Sequence, residues 1–174
     1  MSKAVTAALK EKFPDAVEDV YEGVGGDDCA FVRKEAVAEV CRFLRDDPAM
    51  AFNMAPYVTA VDYLGQTPRF EVVYNLVSTT LNHRVRLRVK VPEADLAVPT
   101  VTHLWRGADW FERYCFDMYG IRFTGHPDMR RLLMYDEFVG HPLRKDYPLK
   151  GRQPLTKERE FQDLYRGPGP AGRD

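Results

Sequence analysis

The sequence predicts an α+β fold: a small sheet containing an antiparallel hairpin, packed with helices and followed by an extended Pro/Gly-rich C-terminal arm. Three observations predict it. Between Phe70 and Val91 apolar side chains recur at every second residue, the period of a strand with one buried face. Three other stretches place apolar residues at helical spacing. Beyond Gly120, six prolines and many glycines leave no amphipathic run long enough for a substantial helix. The boundaries that follow are a domain over residues 1–120, a partner-binding arm over 121–160 and a flexible tail over 161–174.

From Ser2 to Phe13, the residues Val5, Ala8, Leu9 and Phe13 share a helical stripe, and Pro14 ends it. Residues 23–28 are a turn cluster without the GxGxxG pattern, so they do not read as a phosphate loop. A short strand is expected at Cys29–Arg33, then a helix from Lys34 to Arg45 with Val37, Val40, Cys41 and Leu44 on one side. Asp46, Asp47 and Pro48 break it. Tyr57–Tyr63 reads as a strand and Gly65–Pro68 as its turn. In the hairpin, Phe70, Val72, Tyr74 and Leu76 face Val85, Leu87, Val89 and Val91 across a polar loop at 78–82. The last predicted helix runs from Asp109 to Gly120. Asp109 caps it, Glu112 completes a capping-box-like pair, and Trp110, Phe111, Tyr114 and Met118 form its apolar face. Arg113 and Asp117 are four apart and can pair.

Composition bounds the function. A chain of 174 residues with 45% hydrophobic content has enough for one core and an extension. The net charge of −1 conceals an acidic front, −5 over residues 1–68, and a basic back, +4 over 69–174. Either two different partners or simple drift of surface charge accounts for that split. Three widely spaced cysteines, Cys29, Cys41 and Cys115, offer no disulfide framework and no zinc or iron–sulfur spacing. No apolar run approaches membrane-spanning length. The Met1 start lacks a transit-like segment, which favours a prokaryotic, cytoplasm-facing protein.

Two features invite chemistry. Arg84, Arg86, Arg88 and Lys90 line one face of the second hairpin strand, a stripe that could follow a phosphate backbone. No aromatics stand beside it in the expected register and the chain is near neutral, so a solvated or protein-facing surface is expected and not nucleic acid. The second feature is Gly-His-Pro, which occurs at 125–127 and again at 140–142. His126 and His141 with Asp128 and Asp146 could be metal ligands, but they lack the spacing that brings ligands together. No Ser or Cys is placed for nucleophilic catalysis with either histidine. The mechanical reading remains: glycine bends, histidine anchors and proline stiffens. The residues expected to anchor the arm or meet a partner are His126, Arg130, Arg131, His141, Arg144, Lys145, Asp146 and Tyr147.

The run from Trp110 to Leu149 resembles the "30 kDa" or C-type subunit family of proton-pumping NADH:quinone oxidoreductase, respiratory complex I. Glu112-Arg113, residues 117–121, 125–128, 130–133 and 140–149 carry the resemblance, which spans roughly residues 30–155. The family usually has Glu-Arg-Glu on this helix, and Tyr114 stands at the third position here, so any family salt bridge from that position is in doubt. The resemblance implies a small α+β domain with an extended arm, acting as a cofactor-free structural subunit of the peripheral arm. It implies FMN and iron–sulfur clusters in partner subunits, with the quinone-cavity (D) and the cluster-bearing (B) subunits as neighbours. Membrane association would then come only through the complex, on the cytoplasmic side of a prokaryotic cell membrane. A related subunit of a membrane-bound hydrogenase, or of a ferredoxin- or deazaflavin-linked dehydrogenase, is the alternative.

Overall fold

A computed structural model describes residues 3–151, residue 24 aside, together with Gln153; the expected tail at 161–174 lies outside the described residues. Helix α1 (Lys3–Lys12) precedes strands β1 (Val17–Glu22) and β2 (Asp28–Val32). A 3-10 turn (Lys34–Ala36) leads into α2 (Val37–Asp46). Strands β3 (Met54–Asp62), β4 (Phe70–Ser78) and β5 (His83–Val91) follow, then β6 (Ala97–Pro99), α3 (Ala108–Tyr119) and β7 (Arg122–Thr124). The result is an α+β fold.

The main sheet has five strands in the order β1-β2-β5-β4-β3. β3, β4 and β5 form an antiparallel meander, and β5 returns to lie parallel to β2. The predicted hairpin holds its register: Phe70 faces Val91, Val72 faces Val89, Tyr74 faces Leu87 and Leu76 faces Val85. All eight side chains are buried in one core with Val5 and Leu9 of α1 and with Val37, Val40, Cys41 and Leu44 of α2. The helical stripes read from spacing are therefore the faces laid on the sheet. Each such fully buried Leu, Val or Phe contributes about 1.5–3 kcal/mol relative to leaving it exposed.

The opposite sheet face carries the basic stripe; Arg84 is exposed, and Arg86, Arg88 and Lys90 are paired within the chain. Arg86 donates to Asn75 Oδ1 at 3.1 Å and reaches Asp27 at 3.4 Å. Arg88 bonds Tyr21 Oη and Glu71 Oε2, both at 2.6 Å, and Tyr63 Oη at 3.0 Å. Lys90 meets Glu18 at 3.0 Å. Aromatic rings do stand beside these cations: Arg88 lies 4.7 Å from the Phe31 ring centre and 6.0 Å from that of Tyr21. They come from the neighbouring β1 and β2, which the hairpin's own pattern could not reveal. β1 itself was not expected. Its acids face water on a sheet edge, and a bulge between Val17 and Asp19 interrupts the alternation.

Helix α3 is placed by a second, two-stranded sheet in which β6 and β7 run parallel, Val98 opposite Phe123. Thr100 N–H donates to Thr124 O at 3.0 Å, and Arg122 N–H to Leu96 O at 2.8 Å, closing this small unit around the helix. Ile121 is buried and β7 is a strand, so the chain stays within the domain until Thr124.

Four local expectations for α3 change. The helix starts at Ala108 with Gly107 as its N-cap and no side-chain cap bond, so Asp109 lies in the first turn and does not cap it. Glu112 does not complete a capping box. Its carboxyl is buried, accepting from Thr100 Oγ1 at 2.5 Å and from Val101 N–H at 2.8 Å. Burial lifts its pKa to about 7, against the lowering pull of those two bonds. Trp110 is 62% exposed rather than within the apolar face, with Arg113 over its ring at 5.4 Å. Tyr114 does pack partly buried against the core. Arg113 and Asp117 do not pair with each other; both reach the arm.

Candidate functional site

The C-terminal end of α3 sets the problem that the arm solves. The last four carbonyls of a helix have no partner within it. In α3 the last turn contains no basic side chain to compensate. Gly120 adopts φ 81° and returns its N–H to Phe116 O at 2.9 Å, the left-handed stop that glycine permits. The remaining three carbonyls are met from the second Gly-His-Pro segment. His141 Nδ1 donates to Asp117 O at 2.9 Å, Leu143 N–H to Met118 O at 3.1 Å, and Arg144 Nε to Tyr119 O at 2.7 Å. The segment 141–144 is the cap of α3.

Glycine at 120 is required twice over. A Cβ there would sit 2.5 Å from Arg144 Nη2 and 2.6 Å from His141 Nε2, so the close approach of the arm depends on its absence. Gly140, at φ 97°, has the same role at the following bend, where a Cβ would come within 2.9 Å of the Tyr147 ring.

Asp117 is the hub. Its carboxylate is fully buried and accepts from Arg131 Nη1 at 2.8 Å and from three consecutive backbone N–H groups, Leu132 at 3.1 Å, Leu133 at 2.7 Å and Met134 at 2.9 Å. Burial alone would raise its pKa, but these four donors outweigh that and hold it below the usual carboxylate range. Arg131 also gives Nη2 to Phe138 O at 2.9 Å and Gly140 O at 3.2 Å, bending residues 131–140 back towards the helix. Arg113 grips the stretch before it, through Arg130 O at 3.2 Å and Arg131 O at 3.0 Å.

A second anchor lies at the β3–β4 turn. Arg69 and Asp62 form a bidentate pair, both contacts 2.9 Å, with side chains only 7% and 2% exposed. Arg69 further holds Asp146 at 2.8 Å and Glu93 at 2.7 Å, and Lys145 N–H donates to Asp62 at 2.8 Å. The Arg69 guanidinium keeps Asp62 and Asp146 below their ordinary range, and those acids raise Arg69 in return. Phe70 lies beneath both Arg69, at 4.8 Å, and Arg144, at 5.2 Å.

The expected anchoring residues are thereby distributed. His126 has no exposed side-chain surface; its Nδ1 accepts from Asp128 N–H at 3.0 Å, and its Nε2 faces Asp109 O at 3.4 Å. Arg131, His141, Arg144 and Asp146, with the Lys145 backbone, bind the chain's own domain. Tyr147 stacks on Phe138, ring centres 5.9 Å apart, and the Lys145 side chain is exposed. Arg130 is exposed and pairs with Asp128 at 2.9 Å. Spacing did not single out Asp62 or Arg69, because both act on residues about 80 positions later; the only signal was an acid and an arginine bracketing one strand turn. Among the described residues no group of three or more His, Cys, Asp or Glu is placed to hold a metal ion, and no helix is long and apolar enough to cross a membrane. His126 and His141 serve opposite ends of α3.

Residues 30–153, the span from β2 through the docked arm, match the family model of the respiratory-chain NADH dehydrogenase 30 Kd subunit. The chain belongs to that family. The C subunit of the NADH-quinone oxidoreductase of Geobacter sulfurreducens is 50% identical over 144 residues, covering 82% of this chain and 87% of the relative. The subunit of the same name from a Roseiflexus species is 50% identical over 145 residues, 83% of each. Among solved structures, a trypsin-resistant fragment (1-134) of Nqo5 aligns with TM-score 0.61 at 33% identity, covering 71% of this chain and 98% of the fragment. A chain of an archaeal membrane-bound sulfane sulfur reductase shares the fold, with TM-score 0.73 at 20% identity over 99% of this chain and 95% of that one. Asp62, Arg69, Asp117, both Gly-His-Pro corners and Asp146 all lie within the matched span.

Proposed function

We propose that this chain is a cofactor-free structural and assembly subunit of the peripheral arm of a proton-translocating NADH:quinone oxidoreductase. Such an enzyme passes electrons from NADH through FMN and iron–sulfur clusters to quinone, and those groups would reside in partner subunits. The family match over residues 30–153 carries this reading. The chemistry of the chain supports it. His126, His141, Asp128 and Asp146 are engaged within the chain, and the three cysteines are buried, with burial pushing the Cys41 and Cys115 thiols far up. The expected neighbours are the quinone-cavity (D) and the cluster-bearing (B) subunits. The chain would lie on the cytoplasmic face of a prokaryotic membrane, attached through the complex. Curated relatives at half identity carry the NADH-quinone oxidoreductase name, which favours this reading over a hydrogenase or a ferredoxin-linked dehydrogenase.

Co-purification tests it. From mildly solubilised membranes the chain should travel with flavin- and cluster-bearing subunits, while the chain purified alone should be colourless and without stoichiometric iron, zinc or flavin. About one metal per isolated chain, lost on His126→Ala or His141→Ala, would overturn the reading.

A further inference from the structure

The arm's side chains are sorted in the opposite sense to a surface finished against water. Arg131, His141, Arg144 and Asp146 turn inward to the chain's own domain. The large apolar residues turn outward: Leu133 is 60% exposed, Val139 72% and Leu149 entirely so, with Tyr135 and Leu143 also exposed. Scattered exposed apolar residues need no explanation, but half of the large exposed apolar side chains among the described residues fall within these seventeen positions. Their setting is braced by packed rings and hydrogen bonds. Tyr135 packs edge-on against Phe138, which stacks on Tyr147, with ring centres 5.5 and 5.9 Å apart. Gln153 ties Val139 O to Tyr147 Oη, both at 2.9 Å.

We propose that the outward side of residues 133–149 is a preformed docking ridge for one other protein chain, while the arm's polar residues serve to hold the ridge in place. The proposal rests on the reading of this chain as a subunit of a larger complex. The partner's chemistry follows from the ridge: an apolar groove for Leu133, Val139 and Leu149, with basic groups at its rim opposite the exposed Asp136 and Glu137. Lys145 is the one exposed cation among residues 133–149, against this acidic pair and the half-exposed Asp146, so the segment offers no basic cluster for an anionic membrane surface. Because the ridge is ordered by its own domain, docking does not require the partner to fold it, which lowers the entropic cost of association.

The test replaces the chromosomal copy with Leu133→Ser, Val139→Ser and Leu149→Ser together, and reads two quantities. The thermal midpoint of the purified full chain should match wild type. The fraction of the chain found in the membrane-bound complex on native gels should fall about tenfold or more, the loss expected from removing anchor side chains. Asp136→Lys with Glu137→Lys should also reduce assembly. Should the triple variant melt early, Val139→Ser alone, at the most exposed of the non-terminal positions, should still lower assembly. Assembly of the triple variant within roughly twofold of wild type would overturn the ridge. So would binding of the wild-type chain to vesicles containing phosphatidylglycerol that the triple variant loses. If the wild-type chain enters no membrane complex at all, the functional reading fails and the ridge with it.

Discussion

His126 and His141 stand in identical tripeptides, each followed by proline, and each ring faces a backbone carbonyl of α3. The carbonyls differ. Asp109 O, opposite His126, lies in the first turn, where α-helical geometry already gives it an N–H from Arg113. Asp117 O, opposite His141, lies in the last turn, where no intrahelical donor exists. The side chain of the first histidine is wholly buried and adds a second bond to a satisfied acceptor. The second is half-buried and supplies the bond that the helix lacks. The same three residues thus pack one end of a helix and cap the other, and it is the place along the helix that makes the difference.

That contrast can be broken most forcefully at Asp117. Asp117→Ala would leave Arg131 and three N–H groups without their acceptor, a loss of about 3–5 kcal/mol of arm docking by the measure of broken buried ion pairs. Chemical denaturation should resolve an early transition for the arm, with His126 and the helix start still packed. A single cooperative transition at the wild-type midpoint would refute the hub.

At the other end, Glu112 is the sensitive group. Its pKa is raised from 4.5 to about 7 in the fold, so its own contribution to stability is full at low pH and is lost as pH rises from 4.5 through 7. The total loss should amount to roughly 3 kcal/mol. Glu112→Gln keeps a carbonyl oxygen for Val101 N–H and should flatten the curve while arm docking stays unchanged. The same pH dependence of melting temperature in wild type and Glu112→Gln would contradict the buried acid.

Gly120→Ala should cost about 1–2 kcal/mol for the left-handed backbone alone. It should also push out His141 and Arg144 while sparing the first corner. The smallest effect belongs to His141→Gln. Burial, reinforced by Arg144 and Arg131, lowers the His141 pKa below its ordinary 6.5 despite the opposing pull of Asp117 O. The unfolded histidine therefore binds its proton first, and arm docking weakens as pH falls below about 6.5. Arm proteolysis followed against pH should show that loss in wild type and none in the variant.

Where the partners of a residue lie along the chain explains what could be read from sequence. The hairpin's alternation and the stripe of Val37, Val40, Cys41 and Leu44 reflect burial against a whole layer, so a period suffices. Glu112 and Asp117 were matched to helix neighbours by local rules, yet their partners stand 11–12 residues earlier and 14–17 later. Strands of three residues, such as β6 and β7, are too short to show a period at all. The two Gly-His-Pro bends were legible as anchors, but the surface they anchor to was not. The apolar ridge lies in a segment where no periodicity operates, so only the folded arm reveals which residues point outward.

Amide hydrogen exchange of the purified chain, without any partner, bears most directly on whether the arm is held by its own domain. The N–H groups of Leu132, Leu133 and Met134, which donate to Asp117, and that of Leu143, which donates to Met118 O, should exchange roughly a hundredfold more slowly than in an unstructured chain. Gly120→Ala should release Leu143 first. Exchange of all four at unstructured rates, with β4, β5 and α3 still protected, would mean that the arm is ordered only by its partners.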